Sequence, residues 1–213
     1  MLKVKKFTFN PFSENTFIIS DESNDAVVID PGCYYKTEQN QLDDYIALHQ
    51  LNLTAVLHTH SHLDHMFGTA YILNKYDINL WIHKKDEITY HSFEKVCGLY
   101  GIPNTFFPNK NPLFFTSDSL IKFNNIEFQL LFVPGHSPGH VAFYSEANNF
   151  VINGDCLFEN SIGRTDLPGG NHNELIQSIK MKLFNLPDST VVYTGHGNDT
   201  QIEKEKRENP FLQ

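Results

Sequence analysis

The chain has 213 residues, of which 40% are hydrophobic and 13% aromatic, and its formal net charge is −9. This length and composition predict one globular domain over residues 1–213 and exclude a disordered chain. The acidic balance and the absence of a long Lys/Arg run argue against a nucleic-acid partner.

The first half of the chain is predicted to alternate between short strands and amphipathic helices. The first three strands are Lys3 to Phe9, Thr16 to Ser20 and Ala26 to Ile29, and Asp30-Pro31-Gly32 ends the third. Helical spacing marks a helix at Leu42, Tyr45, Ile46 and His49. A buried strand, Leu53 to Leu57, then leads into a His-rich turn and a helix. The strand Leu80 to Ile82 and a helix with Phe93, Val96, Cys97 and Tyr100 follow.

The second half repeats this loose pattern of many strands and a few helices. Pro103 to Pro112 is predicted to be a loop near the site. The predicted strands are Leu120 to Phe123 and Ile126 to Val133, joined at Asn124-Asn125, then Val141 to Tyr144, Phe150 to Ile152 and Thr190 to Tyr193. One predicted helix is marked by Leu175, Ile176, Ile179 and Leu183, with Asn173 as its cap. A second, at the end of the chain, spans Gln201 to Glu208.

The cellular location is predicted from signals that the sequence lacks. No apolar run approaches the roughly 18 residues of a membrane span, so we expect no membrane partner. The first residues contain no apolar signal core. The three cysteines are odd in number and share no close spacing, so a disulfide framework is not expected. These features together predict a cytoplasmic protein.

The His-rich turn places four candidate metal ligands within six residues. They are His60, His62, Asp64 and His65. Side chains alternate in an extended or turning chain, so His60 and His62 point the same way. Asp64 and His65 are then free to face a second point nearby. Because histidine and carboxylate groups are common ligands of zinc-like ions, the turn predicts two metal ions held side by side.

Three more candidate ligands each follow a buried strand and a glycine. They are His136, Asp155 and His196. Taken singly, such residues are often caps or solvated turn residues, but together with the His-rich turn they complete two sites. One ion is predicted to bind His60, His62 and His136. The other is predicted to bind Asp64, His65 and His196, with Asp155 bridging both ions and room left for a shared water.

These motifs resemble the metallo-β-lactamase superfamily in its glyoxalase II-like branch. The motifs are His60-Ser61-His62-Leu63-Asp64-His65, Pro134-Gly135-His136, Gly154-Asp155 and Gly195-His196. The resemblance runs from about Asn15 to Leu212 and is closest to the compact bacterial glyoxalase II-like hydrolases. It implies an α+β fold, the four-layer αβ/βα sandwich, with helices outside two packed sheets and the metals at one edge.

The resemblance also implies a dinuclear hydrolase acting on a small-molecule acyl thioester, such as a hydroxyacylglutathione. Two divalent ions, zinc or alternatively iron or manganese, would activate the shared water for attack on the carbonyl. Asp64 is expected to bind a metal and to orient the attacking hydroxide. Arg164 is expected either to bind a substrate carboxylate or to form a salt bridge with Asp166. His140 is expected to support the ligands by hydrogen bonding.

Two other functions remain open at this point, and the oligomeric state is undetermined. Gly163-Arg164-Thr165-Asp166 also resembles the persulfide dioxygenases, which use a single iron on the same scaffold. A non-enzymatic metal-binding protein is the third hypothesis. Typical glyoxalase II has a longer C-terminal helical domain that helps to bind glutathione, whereas only residues 197–213 follow His196 here. The identity of the thiol is therefore also open.

Overall fold

The computed structural model describes residues 1–103, 108, 110–116 and 118–213 of the chain. The first of its two six-stranded sheets has its strands in chain order, β1 to β6. They are β1 (Lys3–Phe9), β2 (Glu14–Ser20), β3 (Asp25–Ile29), β4 (Asn52–Leu57), β5 (Asn79–His83) and β6 (Leu113–Phe115). The strands β1 to β3 are antiparallel, and β3 to β6 run parallel.

The second sheet has the order β14-β13-β10-β9-β8-β7, and a separate two-stranded ribbon pairs β11 with β12. Its strands are β7 (Leu120–Phe123), β8 (Ile126–Phe132), β9 (Val141–Ser145), β10 (Phe150–Gly154), β13 (Val191–Thr194) and β14 (Thr200–Gln201). The ribbon consists of β11 (Leu157–Phe158) and β12 (Ser161–Ile162). Only β10 and β13 pair in parallel within this sheet.

The helices lie outside the two sheets. They are α1 (Lys36–Leu48), α2 (Leu63–Met66), α3 (Thr69–Tyr76), α4 (Glu87–His91), α5 (Phe93–Tyr100), α6 (His172–Met181) and α7 (Ile202–Glu208). Among the residues that the structure describes, no helix is both long and apolar enough to cross a membrane.

Three apolar cores separate four layers, because successive side chains of a strand point to opposite faces. Between the sheets, Phe17 of β2 packs in one cluster with Phe128 of β8. On the other face of the first sheet, Ile18 of β2 belongs to a core that includes Leu42 of α1. A third core joins the second sheet to α6 and α7. The predicted αβ/βα sandwich is confirmed.

The strand and helix predictions are confirmed wherever a long apolar pattern supports them, and the exceptions are short elements. The strands β6, β11, β12 and β14 and the helix α4 were not predicted, and each has five residues or fewer. The predicted cap Asn173 is wrong. Asn171 occupies that position, where its side chain accepts a hydrogen bond from the N–H of Glu174. Five of the ten residues of the predicted loop Pro103 to Pro112, 104–107 and 109, lie outside the described residues.

Candidate metal centre

The seven predicted ligands converge at one edge of the sandwich. The loops after β4, β8, β10 and β13 carry them, and α2 carries Asp64 and His65. Neighbouring parallel strands have their carboxyl ends at the same edge of a sheet, and the loops that follow these strands in the two sheets meet here. The convergence is therefore a consequence of the topology.

The first triad consists of His60, His62 and His136. Nδ1 of His62 lies 2.8 Å from Nε2 of His136, which lies 3.2 Å from Nε2 of His60. Nitrogens bound to one tetrahedral zinc ion are about 3.3 Å apart. Burial lowers the pKa of all three imidazoles, that of His62 to about 3. The rings are therefore neutral at pH 7, as metal ligands must be.

The second triad consists of Asp64, His65 and His196. Nε2 of His196 lies 3.1 Å from Oδ2 of Asp64, and Nε2 of His65 lies 3.8 Å from the same oxygen. The ligand atoms within each triad all lie within 4.8 Å of one another. Nε2 of His65 is buried and has no hydrogen-bond partner among the described residues. An orphaned ring nitrogen aimed at two other donors fits a metal ion.

Asp155 faces both triads. Its Oδ2 lies 3.5 Å from Nε2 of His136 and 3.5 Å from Nε2 of His196, while its Oδ1 lies 3.5 Å from Nε2 of His65. Burial would raise the pKa of this carboxyl, but the neighbouring histidines, His65 above all, hold it well below its usual range. Oδ1 is buried without a hydrogen-bond partner in the described part of the chain. The carboxylate is therefore suited to bridging two ions.

A glycine makes room for this carboxylate. A Cβ atom on Gly195 would lie only 2.1 Å from Oδ1 of Asp155 and 3.0 Å from Cε1 of His65. Any side chain at this position would displace the Asp155 carboxylate. The glycine before His196 is therefore required by the close approach of the loops that carry Asp155 and His196, as well as by the turn after β13.

Asp30 supports a histidine of each triad and was not among the predicted site residues. It accepts hydrogen bonds from the backbone N–H of Thr59, over 2.7 Å, and from its hydroxyl, over 2.5 Å. Oδ2 of Asp30 also lies 3.1 Å from Nδ1 of His65, and the Thr59 hydroxyl lies 3.0 Å from Nδ1 of His60. These are the ring nitrogens that face away from the triads, so Asp30 is suited to orienting the two rings.

Part of the sequence signal that identified Asp155 also applies to Asp30, although no glycine precedes Asp30. Both are carboxylates placed directly after a buried strand, and Asp30 follows β3. Asp30 has a left-handed backbone, with φ of +49°. Aspartate tolerates that conformation better than most residues, which allows the side chain to turn back towards the loop after β4.

His140 has the supporting role predicted for it. Its Nε2 accepts a hydrogen bond from the backbone N–H of Asp155 over 3.1 Å, and its ring stacks on His60 with centroids 4.8 Å apart. His140 therefore connects the loop after β10 with the first triad. Cys156, next to Asp155, is buried in the outer core of the second sheet.

Arg164 forms the salt bridge that was one of its two predicted roles. Its guanidinium donates to both carboxylate oxygens of Asp166, each over 2.7 Å, and both side chains are more than half exposed. The backbone carbonyl of Arg164 lies 2.7 Å from Nδ1 of His136 and is positioned to accept its proton. Binding of a substrate carboxylate by Arg164 stays a prediction.

Aromatic side chains form a rim beside the second triad. Phe12 and Tyr100 are 39% and 55% exposed, and their rings meet edge to face with centroids 5.8 Å apart. The carbonyl of Phe12 lies 3.1 Å from Nδ1 of His196, where it can accept a hydrogen bond from the ring. Exposed apolar surface therefore lies directly beside a predicted ligand.

Comparisons with known proteins agree with this geometry. The family model of the metallo-beta-lactamase superfamily matches residues 9–196. The chain is 36% identical over 204 residues to the hydroxyacylglutathione hydrolase GloC of Haemophilus influenzae, covering 94% of this chain and 93% of GloC. It is also similar to two solved structures. The first is BLEG-1 B3 metallo-beta-lactamase, which is 31% identical with a TM-score of 0.89; the match covers 100% of this chain and 99% of that one. The second is TTHA1623 in a di-iron-bound form, which is 34% identical with a TM-score of 0.87; the match covers 98% of this chain and 100% of that one.

Proposed function

The chain belongs to the metallo-beta-lactamase superfamily, and from this premise we propose that it is a dinuclear metallohydrolase that cleaves small-molecule acyl thioesters. The observation that carries the proposal is the position of Asp155, whose two oxygens face both triads. Two adjacent sites that share a carboxylate suit hydrolysis assisted by two metals. The similarity to GloC supports a hydroxyacylglutathione as the first substrate to test.

The proposed ligands divide between the two sites as the triads do. The first ion would be held by His60, His62 and His136, and the second by Asp64, His65 and His196, with Asp155 shared between them. Zinc suits this donor set, while iron, present in the TTHA1623 structure, and manganese are the alternatives. When bound, the ions would lower the pKa of a water towards about 7 and polarise the substrate carbonyl.

Asp64 is the proposed catalytic carboxylate. Burial raises its pKa, but His65 and His196 outweigh that effect and lower the pKa below its usual value. The side chain is therefore ionised at neutral pH and can accept a hydrogen bond from the attacking water. Its Oδ2 lies 3.8 Å from Nε2 of His65 and 3.1 Å from Nε2 of His196, so Asp64 would hold such a water beside these two histidines. No serine or cysteine nucleophile is required.

The surroundings of the centre supply the proposed substrate contacts. The exposed rings of Phe12 and Tyr100 offer an apolar surface beside His196, suited to the carbon skeleton of an acyl or thiol group. Arg164 lies on the other side of His136 and would bind a substrate carboxylate if its pairing with Asp166 opened. The substrate is thus expected to combine an apolar segment with a carboxylate.

An assay of thiol release tests this proposal. Protein loaded with zinc, iron or manganese is incubated with a hydroxyacylglutathione and with an acyl-coenzyme A thioester. We expect thiol release that a chelator abolishes and added metal restores. Asp155→Asn should abolish turnover, whereas Asp43→Asn, in a hydrogen-bonded network with Tyr71 and Tyr76, should retain it. Absence of thiol release from protein carrying two ions would contradict the proposal.

The same preparation discriminates the alternatives. Oxygen uptake with a persulfide, by protein carrying one iron, would favour the dioxygenase. Hydrolysis of a chromogenic cephalosporin would extend the activity to β-lactams, a test motivated by the similarity to BLEG-1. Tight metal binding without turnover of any of these substrates would indicate a non-enzymatic metal-binding protein.

Two further proposals concern the organisation and location of the chain. We propose that residues 1–213 form a single domain, which is supported by the apolar core that both sheets share. A cytoplasmic location is supported by the three cysteines, all of which are free and buried. Fractionation of cells that express the protein with its natural termini would test the location.

A further inference from the structure

Asp86 is a fully buried carboxylate outside the seven proposed ligands. It ends the short 3-10 turn Lys84–Asp86 that follows β5, and it is the residue directly before α4. An aspartate in that position ordinarily caps its own helix through its side chain. The side chain of Asp86 makes no capping hydrogen bond. Helix capping therefore does not explain this buried charge.

Both oxygens of Asp86 bind the loops that carry the first triad. Oδ2 accepts a hydrogen bond from the backbone N–H of Ser61 over 2.5 Å. Oδ1 accepts one from the backbone N–H of Gly139, over 3.1 Å, and another from the hydroxyl of Ser137. Ser61 lies between the ligands His60 and His62, and Ser137 follows the ligand His136. One carboxylate thus joins a loop of the first sheet to a loop of the second.

The backbone packing at this junction is equally close. A Cβ atom on Gly139 would lie 2.2 Å from the backbone nitrogen of Asp86 and 2.3 Å from its Cβ. The loop of the second sheet therefore lies directly against Asp86, and no side chain separates them. Hydrogen bonds to an ionised acceptor are roughly twice as strong as those between neutral groups, so a buried carboxylate is an effective connector.

The remaining ligand loops have other supports. The side-chain amide of Asn15 donates to the carbonyls of Thr194 and Gly197, over 2.9 and 3.0 Å, and so holds the loop of His196. The amide of Asn10 donates to the carbonyl of Asp64 over 3.0 Å. Loss of the Asp86 contacts would therefore disturb the first triad, which is divided between the two joined loops, more than the second.

We propose that Asp86 is a positioning residue that sets the distance between the two ligand loops and thereby the affinity of the first metal site relative to the second. This inference rests on the proposed dinuclear function. It assigns to Asp86 no contact with substrate or metal. Its effect is transmitted through Ser61, Ser137 and Gly139 to the histidines beside them.

Asp86→Asn is the variant that tests this inference. Asparagine has nearly the same size as aspartate. Its NH2 group, however, would face one of the N–H or O–H groups that donate to the Asp86 carboxylate, and two donors cannot form a hydrogen bond with each other. Metal-free protein is titrated with zinc in the presence of a competing chelator. We expect the dissociation constant of one zinc ion to rise about 10- to 100-fold and that of the other to change by less than about threefold.

Ligand variants identify which ion is affected. His62→Ala removes a ligand of the first site, and His196→Ala removes one of the second. The zinc ion that binds more weakly to Asp86→Asn should be the same ion that His62→Ala fails to bind, and not the one that His196→Ala fails to bind. Ser137→Ala removes the hydroxyl that donates to Asp86, together with its 3.4 Å contact with the hydroxyl of Thr89. It leaves the other two hydrogen bonds of Asp86 in place and should shift the same constant by a smaller factor, so it tests the inference even if Asp86→Asn fails to fold. Asp43→Asn, the matched control, should leave both constants unchanged.

The outcomes separate this inference from the proposed function. If the wild-type protein binds fewer than two zinc ions, the dinuclear function fails and this inference fails with it. If the wild type binds two, the inference alone is overturned when folded Asp86→Asn matches the wild type or loses both ions equally. It is also overturned when Asp86→Asn cannot be folded and Ser137→Ala binds both ions as the wild type does.

Discussion

Oδ2 of Asp30 lies 3.1 Å from Nδ1 of His65, and both side chains are almost completely buried. The other ring nitrogen of His65 faces the second triad. Because the Asp30 carboxylate also accepts a hydrogen bond from the Thr59 hydroxyl, which neighbours His60, it supports one histidine of each proposed metal site. The two sites are therefore connected through this carboxylate as well as through Asp155.

Replacing Asp30 by Asn should weaken both sites. Asn tolerates the left-handed backbone at this position, so the loop should keep its path. The amide, however, replaces one acceptor oxygen by a donor, and we expect both zinc dissociation constants to rise about 10- to 100-fold. A competition titration measures them. Asp25→Asn, at the other end of β3, is the control, and a loss confined to one ion would contradict this role.

Removal of the metal should lower the thermal stability. Each ion that binds only the folded state at a free concentration about 1,000 times its dissociation constant stabilises it by about 4 kcal/mol. For a chain of this size, loss of one such ion corresponds to a fall in melting temperature of about 10 °C, and loss of both on chelation to about 20 °C. Calorimetry with a chelator, and then with zinc restored, measures the change. An unchanged melting temperature would show that no structural metal is bound.

Phe12→Ala should raise KM and leave kcat nearly unchanged. The exposed ring is proposed to contact an apolar part of the substrate, and its loss should cost about 1–2 kcal/mol, or roughly 5- to 30-fold in KM. The contact of Phe12 with His196 is made by the backbone carbonyl, which the variant keeps. Steady-state kinetics separate the two constants. Leu120→Ala, an exposed apolar residue on the edge strand β7, should affect neither.

His83 should make the protein less stable at acidic pH. Burial and the nearby Lys85 lower the pKa of His83 to about 4, against about 6.5 in the unfolded chain. Between these two pH values, the histidine is protonated in the unfolded state but neutral in the folded state. The free energy of unfolding therefore decreases as the pH falls from about 6.5 to about 4. This histidine alone should cost about 2–3 kcal/mol between pH 7 and pH 4.5.

His83→Gln isolates that contribution, since the amide oxygen can still accept the hydrogen bond that Lys85 donates to the ring. Urea unfolding of both proteins at pH 7 and pH 4.5, with a chelator present throughout, gives the four free energies. The stability of the wild type relative to His83→Gln should fall by the stated amount at the lower pH. A difference that is independent of pH would contradict the shifted pKa.

The residues proposed as ligands could be singled out in the sequence because their signals are local. His60, His62 and His65 are concentrated in one turn, and His136, Asp155 and His196 each follow a strand that its own apolar run reveals. The sandwich itself came from the family resemblance, since no local pattern shows which faces of two sheets will pack together.

The supporting residues could not be found in the same way. Asp86 binds donors 25, 51 and 53 positions away, and Asp30 binds Thr59 at a separation of 29. Such pairs become visible only when the topology has brought the loops to the same edge. The error at Asn173 has a different cause, because two asparagines two residues apart satisfy the same capping pattern and only the geometry of Asn171 decides between them.

We propose that two metal ions lie side by side in this protein. Crystals grown from protein purified without added metal, measured at the zinc, iron and manganese absorption edges, test this arrangement. We expect two anomalous peaks about 3.5–4 Å apart, one among His60, His62 and His136 and the other among Asp64, His65 and His196, with Asp155 between them. A single peak confined to one triad, or none after metal is supplied, would contradict it.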